Sequence, residues 1–241
     1  MPSENRIEFT KDDLDTYLKE VAREYRRLAG KGMPAELILI GGASILINYG
    51  FRGMTTDIDA LILASSAMED AILRVGEKYD LPHGWLNADF TRTGSYTPKL
   101  KEYSVYYRQY ANVLTLRTVS AEYLIAMKLR SGRQYKNDLS DVLGILAEHE
   151  KRGTPLTMGQ IKKAVCDLYG DWCALPEKSQ RFIEDVMNDG HFDALYQQVS
   201  AGEQDAHNAL LLFDRDYPGE ANEANVDEII KVLQAKKEKK S

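Results

Sequence analysis

Asp57 and Asp59 stand one residue apart in Thr55-Thr56-Asp57-Ile58-Asp59-Ala60-Leu61-Ile62-Leu63, and a glycine pair, Gly41-Gly42, closes the apolar run Leu37-Ile38-Leu39-Ile40 just upstream. Side chains alternate along a β-strand, so a D-x-D on a strand directs both carboxylates to one face. Two hard oxygen ligands on one face suit magnesium, which takes one or two carboxylates and completes its shell with substrate oxygens. Glycines let the backbone come close to a phosphate, and a helix starting there offers free N–H groups to it. The chemistry these residues can do together is phosphoryl transfer. That reaction needs charge on the reacting phosphate neutralised and the leaving pyrophosphate oriented.

The elements that must position these residues are legible in the surrounding pattern. Thr10 with Asp13 forms a capping-box signal ahead of Leu14, Leu18, Val21 and Tyr25, so a helix is expected from Thr10 to Leu28. Pro34 breaks the chain. A strand then covers Leu37–Ile40, a helix Ala43–Tyr49, a second strand Asp57–Leu63 and a helix Ser66–Tyr79. Leu81 to Ser95 reads as loop, with Trp85 assigned to core packing. Tyr103–Tyr107 and Val113–Arg117 read as paired strands around Asn112, followed by helices Ser120–Arg130 and Lys136–Glu150. Beyond Thr157 helices are expected at Thr157–Tyr169, Pro176–Asn188, His191–Val199, Gln204–Phe213 and Asn225–Ala235, and Lys236–Ser241 reads as a solvated tail. The expected class is therefore α/β (α+β): a small mixed sheet in a domain of residues 1–118, then a helical domain of residues 119–241.

Composition narrows the setting. The 241 residues carry 44% hydrophobic and 28% charged side chains, ordinary for a globular protein. No apolar run reaches the roughly 18–20 residues of a membrane span, and the first residues lack a signal-peptide core, so a cytoplasmic protein with no membrane partner is expected. Cys166 and Cys173 fit no zinc spacing; they could form one disulfide, but buried free thiols are expected. The net charge of −6 argues against generic coating of nucleic acid. Residues 99–136 depart from it, with eight basic residues against two acids. That stretch is either a solvated basic face or a phosphate-facing wall.

Taken together, strand, Gly41-Gly42, helix and D-x-D strand resemble the nucleotidyltransferase superfamily that shares the DNA polymerase β fold. Downstream, Tyr123-Leu124-Ile125-Ala126-Met127-Lys128-Leu129, then Gly132-Arg133, then Asp138-Leu139-Ser140-Asp141 resemble the motifs of abortive-infection-type nucleotidyltransferase toxins and their minimal uncharacterised relatives. The resemblance covers residues 36 to 145.

It implies Mg2+ or Mn2+ held by Asp57 and Asp59, and a nucleoside triphosphate bound by Gly41, Gly42, Ser44, Lys128 and Arg133. The helical part would contribute Lys128, Arg133 and Asp138 to the site. Asp138 would act as a third functional acid or a base near the attacking hydroxyl, with Asp141 supporting it. The implied reaction is transfer of a nucleoside monophosphate to a hydroxyl: an RNA (tRNA) 3′ end in a toxin-like enzyme, or a protein or small-molecule (antibiotic) hydroxyl. A non-catalytic protein of a two-component toxin-antitoxin system, with a cognate antitoxin as partner, is the reading from another class. Two departures stand out. Many relatives carry serine directly after the first motif glycine, whereas Ser44 comes one position late here. The usual third carboxylate on a neighbouring strand is not evident, Glu102 and Asp89 being the nearest acids in sequence.

Overall fold

A computed structural model describes residues 8–133, 135–222 and 225–238. The chain divides into two compact units, Met1–Met127 with Gly159–Trp172, and Lys128–Met158 with Cys173–Ser241.

The first unit opens with helix α1, Lys11–Ala29, started by the expected capping box. The Thr10 hydroxyl accepts from the Asp13 N–H, and the Asp13 carboxylate accepts from the Thr10 N–H at 2.9 Å. A five-stranded sheet follows in the order β3-β2-β1-β5-β4. β1 (Ala35–Leu39) is central, antiparallel to β2 (Ile58–Leu63) and parallel to β5 (Leu114–Val119). Leu37, Ile38 and Leu39 are all buried, as a strand covered on both faces requires. Helix α2 (Gly41–Asn48) joins β1 to β2, and α3 (Ala67–Tyr79) follows β2. Leu14, Leu18 and Val21 of α1 and Met68, Ala71 and Val75 of α3 share one apolar cluster with Leu37, Leu39, Ile58, Ala60, Leu114 and Leu116. Each large apolar side chain buried there contributes about 1.5–3 kcal/mol.

The stretch expected to be loop holds a short strand, β3 (Leu86–Asn87), which pairs parallel with β2 at Ile58↔Leu86 and Asp59↔Asn87. Two residues are too few for periodicity to reveal; only the pairing defines them. Trp85, just before β3, is in the core as expected, and its indole N–H donates to the Ile72 carbonyl at 3.3 Å. β4 (Ser104–Tyr110) pairs antiparallel with β5 through the three-residue connection Ala111-Asn112-Val113, in which Ala111 and Asn112 have positive φ, 48° and 57°. Helix α4 (Ala121–Ser131) leaves the sheet, and α6 (Met158–Tyr169) belongs to this unit for most of its length.

In the second unit α5 (Asp138–Lys151) packs on α8 (Phe192–Asp216), with α7 (Glu177–Asp189) and α9 (Val226–Glu238) beside them. The two helices expected at His191–Val199 and Gln204–Phe213 are one continuous helix. Gly202 lies inside it; a mid-helix glycine costs about 1 kcal/mol, offset here by burial of Ala206 and Leu210 on the turns that follow. Part of the expected tail, residues 239–241, lies outside the described residues. Cys166 and Cys173 are thiols rather than a disulfide, but both are exposed rather than buried. Cys166 faces outward because the apolar positions of α6 are Ile161, Ala164, Val165 and Leu168. No described helix is long and apolar enough to cross a membrane.

Candidate active site

The local order of strand, glycines, helix and strand brings the D-x-D to the glycine turn. Strands β1 and β2 run antiparallel, so the end of β1 meets the start of β2. The Ile40 N–H donates to the Asp59 carbonyl at 2.9 Å, and Leu39 faces Ala60 in register. Ile58 and Ala60 enter the α1–α3 core, which leaves Asp59 on the opposite face of the strand. Asp57 immediately precedes β2 and is exposed, while Asp59 is partly buried.

Gly41 begins α2 with φ at +54°, in the left-handed region where a side chain is disfavoured. A Cβ built on it would lie 3.9 Å from an Asp59 carboxylate oxygen. A Cβ on Gly42 would fall 2.6 Å from the Thr55 hydroxyl and 3.0 Å from an Arg52 guanidinium nitrogen. The N-terminus of α2 has no side-chain cap and no acid in its first turn. Its dipole is left to favour an anion. Ser44, one turn on, is fully buried and its hydroxyl has no hydrogen-bond partner among the described residues. Hard oxygen donors beside a glycine turn are a donor set that fits magnesium.

Neither acid singled out as a stand-in third carboxylate joins this pair. Among the described residues there is no cluster of three or more metal-ligating His, Cys, Asp or Glu side chains. Glu102 is exposed, and Asp89 is exposed with its carboxylate 3.7 Å from Arg92. The position beside Asp59 on β3 belongs to Asn87, whose side chain donates to the Gly84 carbonyl and accepts from the Asp89 N–H.

Within the second unit, Lys128, Arg133, Asp138 and Asp141 form one buried ionic cluster. The Lys128 ammonium lies 2.9 Å from Asp138 and 2.8 Å from Asp141. Arg133 donates to Asp138 from Nε at 2.9 Å and from its backbone N–H at 3.2 Å. Burial raises the Asp138 pKa, but the Lys128 charge and the Arg133 hydrogen bonds outweigh it and hold the carboxyl well below its ordinary range. Sequence reasoning missed Glu203, which is buried on α8 and accepts from the N–H groups of Leu139 at 2.9 Å and Ser140 at 3.3 Å. It caps α5, whose own N-cap residue, Asn137, makes no side-chain capping bond.

The basic stretch is not a continuous wall. Lys99 donates to the Asp167 carbonyl, Arg108 pairs with Asp15, Arg117 with Glu36 and Ser104, and Arg130 donates to the Ala174 carbonyl. Each turns to a partner of its own.

The family model described as a nucleotidyltransferase of unknown function (DUF6036) matches residues 16–147, just over half of the chain. The matched stretch runs from within α1 to within α5 and includes Gly41, Gly42, Asp57, Asp59, Lys128, Arg133, Asp138 and Asp141. No curated protein and no solved structure matches the chain.

Proposed function

The chain belongs to this family of nucleotidyltransferases, and on that premise we propose that it moves a nucleoside monophosphate from a nucleoside triphosphate to a hydroxyl acceptor. The observation that carries the reading is the approach of the Asp59 carboxylate to Gly41, at the uncapped start of α2.

In this reading Asp57 and Asp59 hold Mg2+ or Mn2+, which when bound neutralises charge on the triphosphate. The backbone N–H groups of Gly41 and Gly42 meet phosphate oxygens. Because Ser44 is fully buried, its contribution is to the helix behind those N–H groups. The acceptor oxygen bonds to the α-phosphorus, the bond to the bridging oxygen breaks, pyrophosphate leaves, and the hydroxyl proton passes to a base. A carboxyl with so depressed a pKa is a poor base, so Asp138 is assigned to holding Lys128 and Arg133 in place. Of these two cations Arg133 has the more accessible side chain, 31% exposed against 12% for Lys128.

The acceptor proposed from the resemblance is an RNA 3′ end. Incubation with labelled ATP, CTP, GTP and UTP in turn, with Mg2+, total RNA and total protein, tests both halves of the reading. Label in RNA that vanishes in Asp57→Asn and Asp59→Asn is expected. Label confined to protein moves the acceptor class, and label that survives both substitutions sinks the metal assignment.

A further inference from the structure

Arg52 lies in the loop between α2 and β2, five residues before Asp57, and the sequence gives it no periodic partner. The fold nonetheless lays its guanidinium on the glycine turn. The space where Gly42 would carry a Cβ is bounded by the Arg52 Nη2, at 3.0 Å, and by its Cζ, at 3.2 Å. This placement is held from both ends of the loop. The Arg52 Nε–H donates to the Met54 carbonyl at 3.0 Å. Thr55, next along, is buried and bridged to Phe9, exchanging backbone bonds of 2.7 and 3.0 Å, and its hydroxyl donates to the Asp57 carbonyl at 3.1 Å. The chain that fixes the start of the D-x-D strand is therefore the same chain that fixes the guanidinium.

Around the two glycines the charges divide. Asp59 approaches Gly41, and Arg52 lies against Gly42. A triphosphate carries about four negative charges near neutral pH, more than one divalent cation neutralises, and the carboxylates add to the excess. A planar guanidinium matches phosphate oxygens bidentately and keeps its charge at all physiological pH. A second glycine with no side chain leaves room for that group to sit against the backbone N–H groups that would meet the same phosphates.

We propose that Arg52 is a triphosphate-binding residue, closing on the phosphates from the Gly42 side while the D-x-D holds the metal from the Gly41 side. The proposal rests on the nucleotidyltransferase reading of the same site. It makes Arg52 the group that distinguishes a triphosphate from a monophosphate.

The competing role is a strut, in which the bond to Met54 alone matters. Calorimetric titration separates the two. The probes are ATP, CTP, GTP and UTP with MgCl2, and the four corresponding monophosphates, added to the wild-type chain and to Arg52→Gln and Arg52→Lys, with Tm measured for each. Triphosphate affinity is expected to fall tenfold or more in Arg52→Gln while monophosphate affinity stays unchanged. Arg52→Lys, which keeps charge but loses the fork, should fall severalfold and decides the matter if the glutamine variant fails to fold. Wild-type triphosphate affinity in both variants overturns the proposal while leaving the nucleotidyltransferase reading intact. Equal weakening of tri- and monophosphates with a lowered Tm establishes the strut and also overturns it. A wild-type chain that binds none of the four triphosphates removes the underlying reading and the proposal with it.

Discussion

The Lys128 ammonium lies 2.9 Å from an Asp138 carboxylate that has no solvent exposure, and the same ammonium reaches Asp141 at 2.8 Å. A buried ion pair adds little over a well-packed apolar substitute, but removing one partner strands the other. Lys128→Met takes that ammonium away from two buried carboxylates. It should destabilise the fold by about 3–5 kcal/mol, read as a lower midpoint in urea. A stability unchanged within about 0.5 kcal/mol would show that the cluster does not hold α4 and α5.

The glycine turn offers a graded pair of substitutions. Gly41→Ala meets only ordinary contact with Asp59 but must hold a side chain at φ +54°, which costs about 1–2 kcal/mol. Gly42→Ala has no φ penalty but drives a Cβ to 2.6 Å from the Thr55 hydroxyl, on a residue pinned by Phe9. Thermal unfolding should show the first as a modest loss. The second should add a loss of nucleotide affinity in calorimetry, because it displaces Arg52.

Ala111 carries φ +48° in a turn that wants positive φ at both central positions, a task suited to Asn or Gly. Ala111→Gly should raise stability by roughly 0.5–1 kcal/mol without touching activity. A fall in Tm would mean that the lost backbone restriction of the unfolded chain outweighs the relieved strain.

Glu203 sets a pH dependence. Burial, with the Asp141 charge adding to it, raises its pKa to about 7 against hydrogen bonds from Ser140 and Leu139. The folded chain therefore binds a proton more tightly than the unfolded chain, whose carboxyl titrates near 4.5. Between those values stability falls as pH rises, by up to about 3 kcal/mol in all, and it is flat on this account above and below. Glu203→Gln removes the titration. Urea unfolding from pH 4 to pH 8 should show the slope in the wild type and its loss in the variant; parallel profiles would refute the assignment.

The legible parts of this molecule are those fixed by neighbours in sequence. Thr10 and Asp13 announce α1, and the run Leu37–Ile40 ending in Gly41-Gly42 announces the turn before the D-x-D, because caps, strand runs and glycines act within a few residues. What escaped was fixed across the chain. Leu86 and Asn87 are a strand only by lying beside Ile58 and Asp59. Glu203 has its role only because the N–H groups of Leu139 and Ser140 come to it. Arg52 reads as a loop cation until folding sets it on Gly42. Ser200-Ala201-Gly202 reads as a helix break, and α8 runs through it because the following turns are buried.

The first unit closes only with a piece of chain made late. Gly159–Trp172 belongs to it, and there the Tyr169 hydroxyl donates to the Ser95 carbonyl at 2.7 Å while the Tyr123 hydroxyl donates to the Asp167 carboxylate at 2.6 Å. On the ribosome, the sheet and the D-x-D emerge before those partners exist. The nascent chain must wait, with Ser95 and Tyr123 unanswered, until synthesis has passed through α5 and delivered α6. A message truncated between the two would release a sheet lacking part of its own unit.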